Sequence, residues 1–147
     1  MALSNFQIER VLKKHKSKLF YDVIAYDTFD INHCPYFPIV IIANTHPHYV
    51  ERGGHWIGLY IDRKKNGIYF DSTGTKPFGK FYDFFKLHAR TTVFNTMLIQ
   101  SSDFTCGYFV VFFALKIEKM KTLHRLLRLF GKCKDPDKMV MRYFDKL

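Results

Sequence analysis

Apolar and polar positions divide the chain into short apolar strands and amphipathic helical stretches. Ser4, with Gln7 three residues on, has the pattern of a capping box. Phe6, Ile8, Val11, Leu12 and Leu19 then form an imperfect helical stripe with lysines on the other side. The run Ile39–Ile42 predicts a buried strand, and the polar stretch "THPHYVERGG" a loop ending in two glycines. His55 to Asp62 predicts a strand, "RKKNG" a turn, and Ile68 to Asp71 a returning strand. After the loop "STGTKPFG", Phe81 to Leu87 has helical character and Thr91 to Ile99 is rich in β-branched residues, as in a strand. The apolar run after Cys106 is too long for a strand and predicts a helix with a break near Glu118. Gly131, Asp135 and Pro136 mark a turn before a short final helix. This order of helix, strands, helix, strand and helices predicts the α+β class.

Composition adds a scale. A chain of 147 residues with 48% apolar and 18% aromatic content can bury one proper core, so a single domain over 1–147 is expected and a disordered chain excluded. The formal charge of +10 bears on partners rather than fold: nucleic acid is the first suspect and an acidic protein surface the second. Three cysteines, Cys34, Cys106 and Cys133, cannot all pair and show no C-x-x-C spacing. A reducing compartment is therefore expected, and a zinc site is the weakest reading. Residues 1–20 are broken by lysines and do not read as a signal peptide. The longest apolar runs are about eight residues, against the roughly 20 that a membrane span needs.

Cys106 stands where polar "SSDFT" meets the apolar run, in the first turn of the predicted helix. The partial positive charge and free N–H groups of a helix N-terminus favour a thiolate there. Gly107 would leave room for a substrate backbone. The competing role for Cys106 is a small core residue. A nucleophilic thiol needs a base and the base an orienting acid. Among seven histidines, His55 is distinguished by following Gly53-Gly54, opening a strand and preceding the sole tryptophan, Trp56, which could shield one side of a site. Asp71 ends the next predicted strand, where its alternative role is to initiate the "STG" loop. A tight turn at Asn66-Gly67 would set Asp71 opposite Asp62, far from His55. Pairing of His55 with Asp71 therefore requires a wider loop, a bulge or a strong stagger. Gln100, six residues before Cys106, could join the Cys106 N–H in receiving an oxyanion.

The order His55-Trp56, Asp71, Gln100, Cys106-Gly107 resembles the cysteine protease clan of the adenovirus proteinase (adenain) and the SUMO-specific proteases. "IIANTHPHYVERGGHWIGLYID" is similar to the adenoviral branch, in which a strand ending in Asn-Thr leads to Gly-Gly and a catalytic His-Trp. "IYFDSTG", "IQSSDFTCGYFVVFF" and "YDTFD" resemble further segments of that branch, and the likeness spans roughly residues 1–115. The resemblance implies a mixed sheet packed on the helix that carries the nucleophile. It implies Cys106, His55 and Asp71 as a triad, Gln100 in the oxyanion hole, and Trp56, Gly54 and Gly107 around substrate. It further implies a monomeric viral or virus-like endopeptidase cutting capsid and core precursors at Gly-containing sites, in the host nucleus or cytoplasm and the virion. DNA and an activating viral peptide are that family's cofactors. No cysteine lies between Asp71 and Gln100, so a disulfide-tethered peptide is not expected, while non-covalent activation stays open. Lys13–Lys18, Arg63–Lys65 and Lys119–Lys134 are the candidate phosphate contacts. The rival readings are a ubiquitin- or SUMO-like-protein isopeptidase of the same clan, an acyltransferase, and a non-catalytic basic nucleic-acid-binding domain.

Overall fold

The computed structural model of the chain describes residues 1–15, 19–49 and 54–147. Strands β1 (Phe20–Ile24), β2 (Ile39–Asn44), β3 (Trp56–Ile61), β4 (Asn66–Phe70) and β5 (Thr91–Phe94) form one sheet in that spatial order. The outer pairs, β1 with β2 and β4 with β5, are parallel, and the two inner pairs are antiparallel. Five α-helices accompany it among the described residues: α1 (Asn5–Lys14), α2 (Gly79–His88), α3 (Cys106–Met120), α4 (Leu123–Lys132) and α5 (Pro136–Asp145). The α+β class and the mixed sheet agree with the sequence reading.

Strand alternation sorts the core into two layers. Val40, Ile42, Trp56 and Tyr60 face α1, α3, α4 and α5. Ile39, Ile41, Ile57, Leu59 and Ile61 face the α2 residues Phe81, Phe84 and Phe85. Both faces of β2 and β3 are covered, so these strands read as unbroken apolar runs without a polar alternate. Helix α3 buries nine residues around its circumference, as expected of a central helix. Phe113 of α3 stacks on Phe70 of β4 with ring centroids 5.1 Å apart.

Local chemistry explains the boundaries. Both halves of the Ser4–Gln7 capping box are formed, and Thr122 caps α4 by accepting from the Arg125 N–H. The helical break after Cys106 falls at Lys121, which takes a positive φ of 67°, rather than near Glu118. Strand β1 has no counterpart in the sequence reading. All five of its residues are half-buried, so it carries no alternation to detect. The stretch expected to be a strand from Thr91 to Ile99 is one only as far as Phe94, because the Asn95 side chain leaves the ladder to bond the Asp71 backbone.

The turn between β3 and β4 decides where Asp71 goes. Asn66-Gly67 is not the turn. The connection is Asp62–Lys65, closed by the Lys65 N–H donating to Asp62 O at 3.0 Å, with Lys65 at a positive φ of 65°. The Asp62 carboxylate holds it by accepting from the amides of Lys64 and Asn66 at 2.9 and 2.8 Å. Gly67 lies in β4, where a Cβ would come within 2.7 Å of the Phe85 ring. This wider loop pairs Ile61 with Gly67 and Gly58 with Phe70. The same register, continued, sets Asp71 opposite Ile57, diagonal to His55.

Candidate active site

His55 immediately precedes β3, and its carbonyl accepts from the Thr45 N–H at 2.9 Å. Asp71 immediately follows β4. Both therefore stand at the same end of the two central strands, and His55 Nε2 lies 2.6 Å from Asp71 Oδ1. The carboxylate side chain is 2% exposed and the imidazole 22%. Cys106 begins α3, which packs on the sheet face formed by Val40, Ile42, Trp56 and Tyr60, and is buried at 5% exposure. Burial opposes charge on the ring, but the hydrogen bond to Asp71 and the nearby Cys106 thiol, with the charges of both, outweigh it. They push the His55 pKa up from 6.5 to about 9. Burial likewise works against the Asp71 carboxylate, yet its hydrogen bond and ion pair with His55, then two bonds from Thr73, hold its pKa below the ordinary value.

The acid is clamped by neighbours that the sequence reading did not single out. Asp71 Oδ1 accepts from the Thr73 amide at 2.8 Å and from its hydroxyl at 2.6 Å. Asn95 brackets the Asp71 backbone, its Oδ1 accepting from Asp71 N at 3.1 Å and its Nδ2 donating to Asp71 O. The order Asp-Ser-Thr after a strand is the one signal available, since such residues form side-chain turns with nearby amides.

Gln100 is 9% exposed. Its backbone N–H donates to Ser72 O at 3.1 Å, its side-chain oxygen accepts from the Ser72 hydroxyl, and its Nε2 donates to Ser102 O at 3.0 Å. The residue next to the acid thus sets the position of the residue that opens the thiol loop. One amide hydrogen of Gln100 is engaged by Ser102, and a primary amide has two. The Thr105 side chain does not cap α3, so it leaves the first-turn amides beside Cys106 to other partners.

A cleft of about 550 Å³ opens over the thiol, lined by Cys106, Trp56, Gly54, Asn44, His46 and Phe104 among others. A Cβ at Gly54 would sit 2.0 Å from the Asn44 side chain, so a larger residue there would displace Asn44. The other glycine of the pair, Gly53, lies outside the described residues. Trp56 is anchored by its indole N–H donating to Leu3 O at 3.2 Å. Gly107 is packed beneath that wall rather than lining the cleft, since a Cβ would meet Leu3 Cβ at 3.0 Å and Trp56 at 3.4 Å. Sequence reasoning took its lack of a side chain as room for a substrate, and here Leu3 fills that room. Among the described residues, no three metal-ligating side chains come together, and Cys34 and Cys133 are free. No helix is long and apolar enough among those residues to cross a membrane. Of the candidate phosphate contacts, Lys16 and Lys18 lie outside the described residues, and Lys13 pairs with Glu9 at 2.5 Å.

No protein-family model matches the chain, and no curated protein sequence matches it significantly. Solved structures do. ASFV pS273R protease superposes with a TM-score of 0.71 at 17% identity, covering 97% of this chain and 66% of that one. The SUMO protease Ulp1, solved with its catalytic cysteine oxidised to a sulfinic acid, superposes with a TM-score of 0.56 at 17% identity, covering 97% of this chain and 74% of that one. With its mixed five-stranded sheet and the cysteine at the start of α3, the chain has the fold shared by these two proteases.

Proposed function

We propose that this chain is a cysteine endopeptidase of a DNA virus or virus-like element, cleaving precursor polypeptides at glycine-containing sites. One observation carries the reading: His55 Nε2 lies 2.6 Å from the buried Asp71 carboxylate, in a fold whose central helix begins at Cys106. In this reading His55 takes the Cys106 proton, giving a thiolate and an imidazolium that Asp71 orients and stabilises. The thiolate attacks the scissile carbonyl. The oxyanion is received by the Cys106 N–H and the Gln100 amide. Protonated His55 gives its proton to the leaving amine as the C–N bond breaks. Water, deprotonated by His55, then hydrolyses the thioester and regenerates the thiol. Trp56 and the bare backbone at Gly54 form walls that favour substrates with little side-chain bulk next to the cut.

A second reading, isopeptidase action on a ubiquitin-like protein, draws on the likeness to the SUMO protease Ulp1. DNA is the accessory polyanion this proposal favours, because Arg125, Arg128 and Lys132 stand exposed along α4 and the chain carries +10. Fluorogenic peptides with Gly-x-Gly sites, compared with fusions ending in a ubiquitin-like Gly-Gly, separate the two substrates. Cys106→Ala is expected to lower cleavage of the preferred substrate by at least about a thousandfold. Cleavage by that variant at the wild-type rate would end the peptidase reading.

A further inference from the structure

Asp137 is an acidic side chain buried to 4% exposure in the first turn of α5, far along the chain from the candidate site. Its partners belong to the loop that delivers the thiol. Oδ1 accepts from the Ser101 N–H at 2.9 Å, and Oδ2 accepts from the Ser102 N–H at 3.0 Å. The Thr105 hydroxyl lies 2.8 Å from Oδ2. A carboxylate in this setting must be fully hydrogen-bonded to be tolerated, and bonds to a charged acceptor are the strong ones. The position is well prepared. Asp135 caps α5 through the Lys138 N–H, Pro136 fixes its first residue, and the helix N-terminus favours negative charge at Asp137. Tyr143 of α5 packs on Phe112 of α3 with centroids 4.9 Å apart, so the two helices are held together beyond this contact.

We propose that Asp137 is a positioning residue for the oxyanion hole, tying the C-terminal helix to the catalytic loop. The inference rests on the peptidase reading above. Two routes lead from one carboxylate to the two donors. Asp137 holds Ser102, whose carbonyl receives Gln100 Nε2 at 3.0 Å. It also engages Thr105, the residue at the start of α3 whose hydroxyl does not cap its own helix, directly before the Cys106 N–H. An oxyanion hole acts only when its donors are already in place, and a displacement of about 1 Å forfeits much of its effect. Asp137 does not touch His55, Asp71 or Cys106 among its hydrogen bonds, so the thiol–imidazole pair should remain intact without it.

The test separates oxyanion stabilisation from thiol activation. Asp137→Ala is expected to lower kcat by about 10- to 100-fold with KM changed less than about threefold. Alkylation of Cys106 by iodoacetamide, which needs the thiolate and no oxyanion hole, should stay within about threefold of wild type. Asp137→Asn keeps the shape and one acceptor oxygen, and should fall between the two; it also serves if the alanine variant fails to fold. A kcat within about threefold of wild type, or alkylation that falls in parallel with kcat, overturns the proposal. Exchange of the Ser101 and Ser102 amides, read by NMR, gives a measure independent of activity: slow in wild type and faster in the variants. If the wild-type chain cleaves no peptide, the peptidase reading fails by itself. The anchor is then judged by exchange, where equal rates in wild type and variants would sink it and faster exchange in the variants would uphold it.

Discussion

Thr73 shows how much of the candidate site is held by residues that do no chemistry in the proposed mechanism. Its amide and hydroxyl both donate to Asp71 Oδ1, the same oxygen that meets His55 Nε2. These bonds favour the ionised acid and fix the oxygen that orients the imidazole. Removing the hydroxyl leaves the amide bond, so the loss should be partial. Thr73→Ala is expected to lower kcat/KM by about tenfold, corresponding to about 1.4 kcal/mol, the scale of one charge-assisted hydrogen bond. Thr73→Ser should restore most of it. If alanine and serine variants behave alike, the hydroxyl has no part in holding the acid. Sequence reasoning singled out Asp71 because a carboxylate at a strand end is conspicuous. It passed over Thr73 because a threonine in "STG" is ordinary loop composition.

Elements place these residues through close packing. The hairpin brings Asp71 beside His55 only because its loop spans Asp62–Lys65 and puts the two residues on a diagonal. Both lie just outside their strands, where the pleat no longer dictates which face a side chain takes. Strict alternation would have turned them toward α2, with Ile57 and Tyr69. On the opposite face, α3 sits against β3 at Gly58, where an added Cβ would come 2.6 Å from the Phe113 ring. Phe113 is itself stacked on Phe70, so it cannot yield without disturbing β4. Gly58→Ala is therefore expected to destabilise the protein by about 1–3 kcal/mol, the usual cost of overpacking, read as a lower urea midpoint. An unchanged midpoint would mean that α3 is less closely seated on the sheet. Because α3 carries Cys106, the same variant should also lower activity.

At the scale of the whole molecule, the His55–Asp71 pair links the candidate site to global stability. The pKa of His55 is raised in the fold from 6.5 to about 9. Its contribution is fully present below about pH 6.5 and is lost as pH rises through about 9. Asp71 has its pKa lowered in the fold, so its contribution is present above the ordinary carboxylate value of 3.8 and is lost as pH falls through the folded value. Stability from this pair is greatest between about pH 4 and 6.5. The urea midpoint of the wild-type protein should decline between about pH 6.5 and 9.5, and His55→Ala should flatten that decline. Equal slopes in the two proteins would show that His55 is not stabilised as an imidazolium. In the proposed mechanism, loss of the same proton also sets the alkaline limit of activity.

By itself, the sequence determined the α+β class, the capping box at Ser4, the apolar strands β2 and β3, the long buried helix and the shortlist of His55, Asp71, Gln100 and Cys106. These follow from local causes: hydrophobic periodicity, capping chemistry, and the order of residues whose types suit one reaction. Only the tertiary structure decided the rest. The turn at Asp62–Lys65 was decided by side-chain hydrogen bonds and by Phe85 packing on Gly67, neither of which is legible in "RKKNG". The same is true of Leu3 filling the space over Gly107 and of Asp137 reaching the thiol loop, contacts between residues more than 30 positions apart. A buried carboxylate or a close-packed glycine has a local signature shared with many surface positions. What distinguishes it is the neighbour that folding brings, and that depends on the packing of the whole chain.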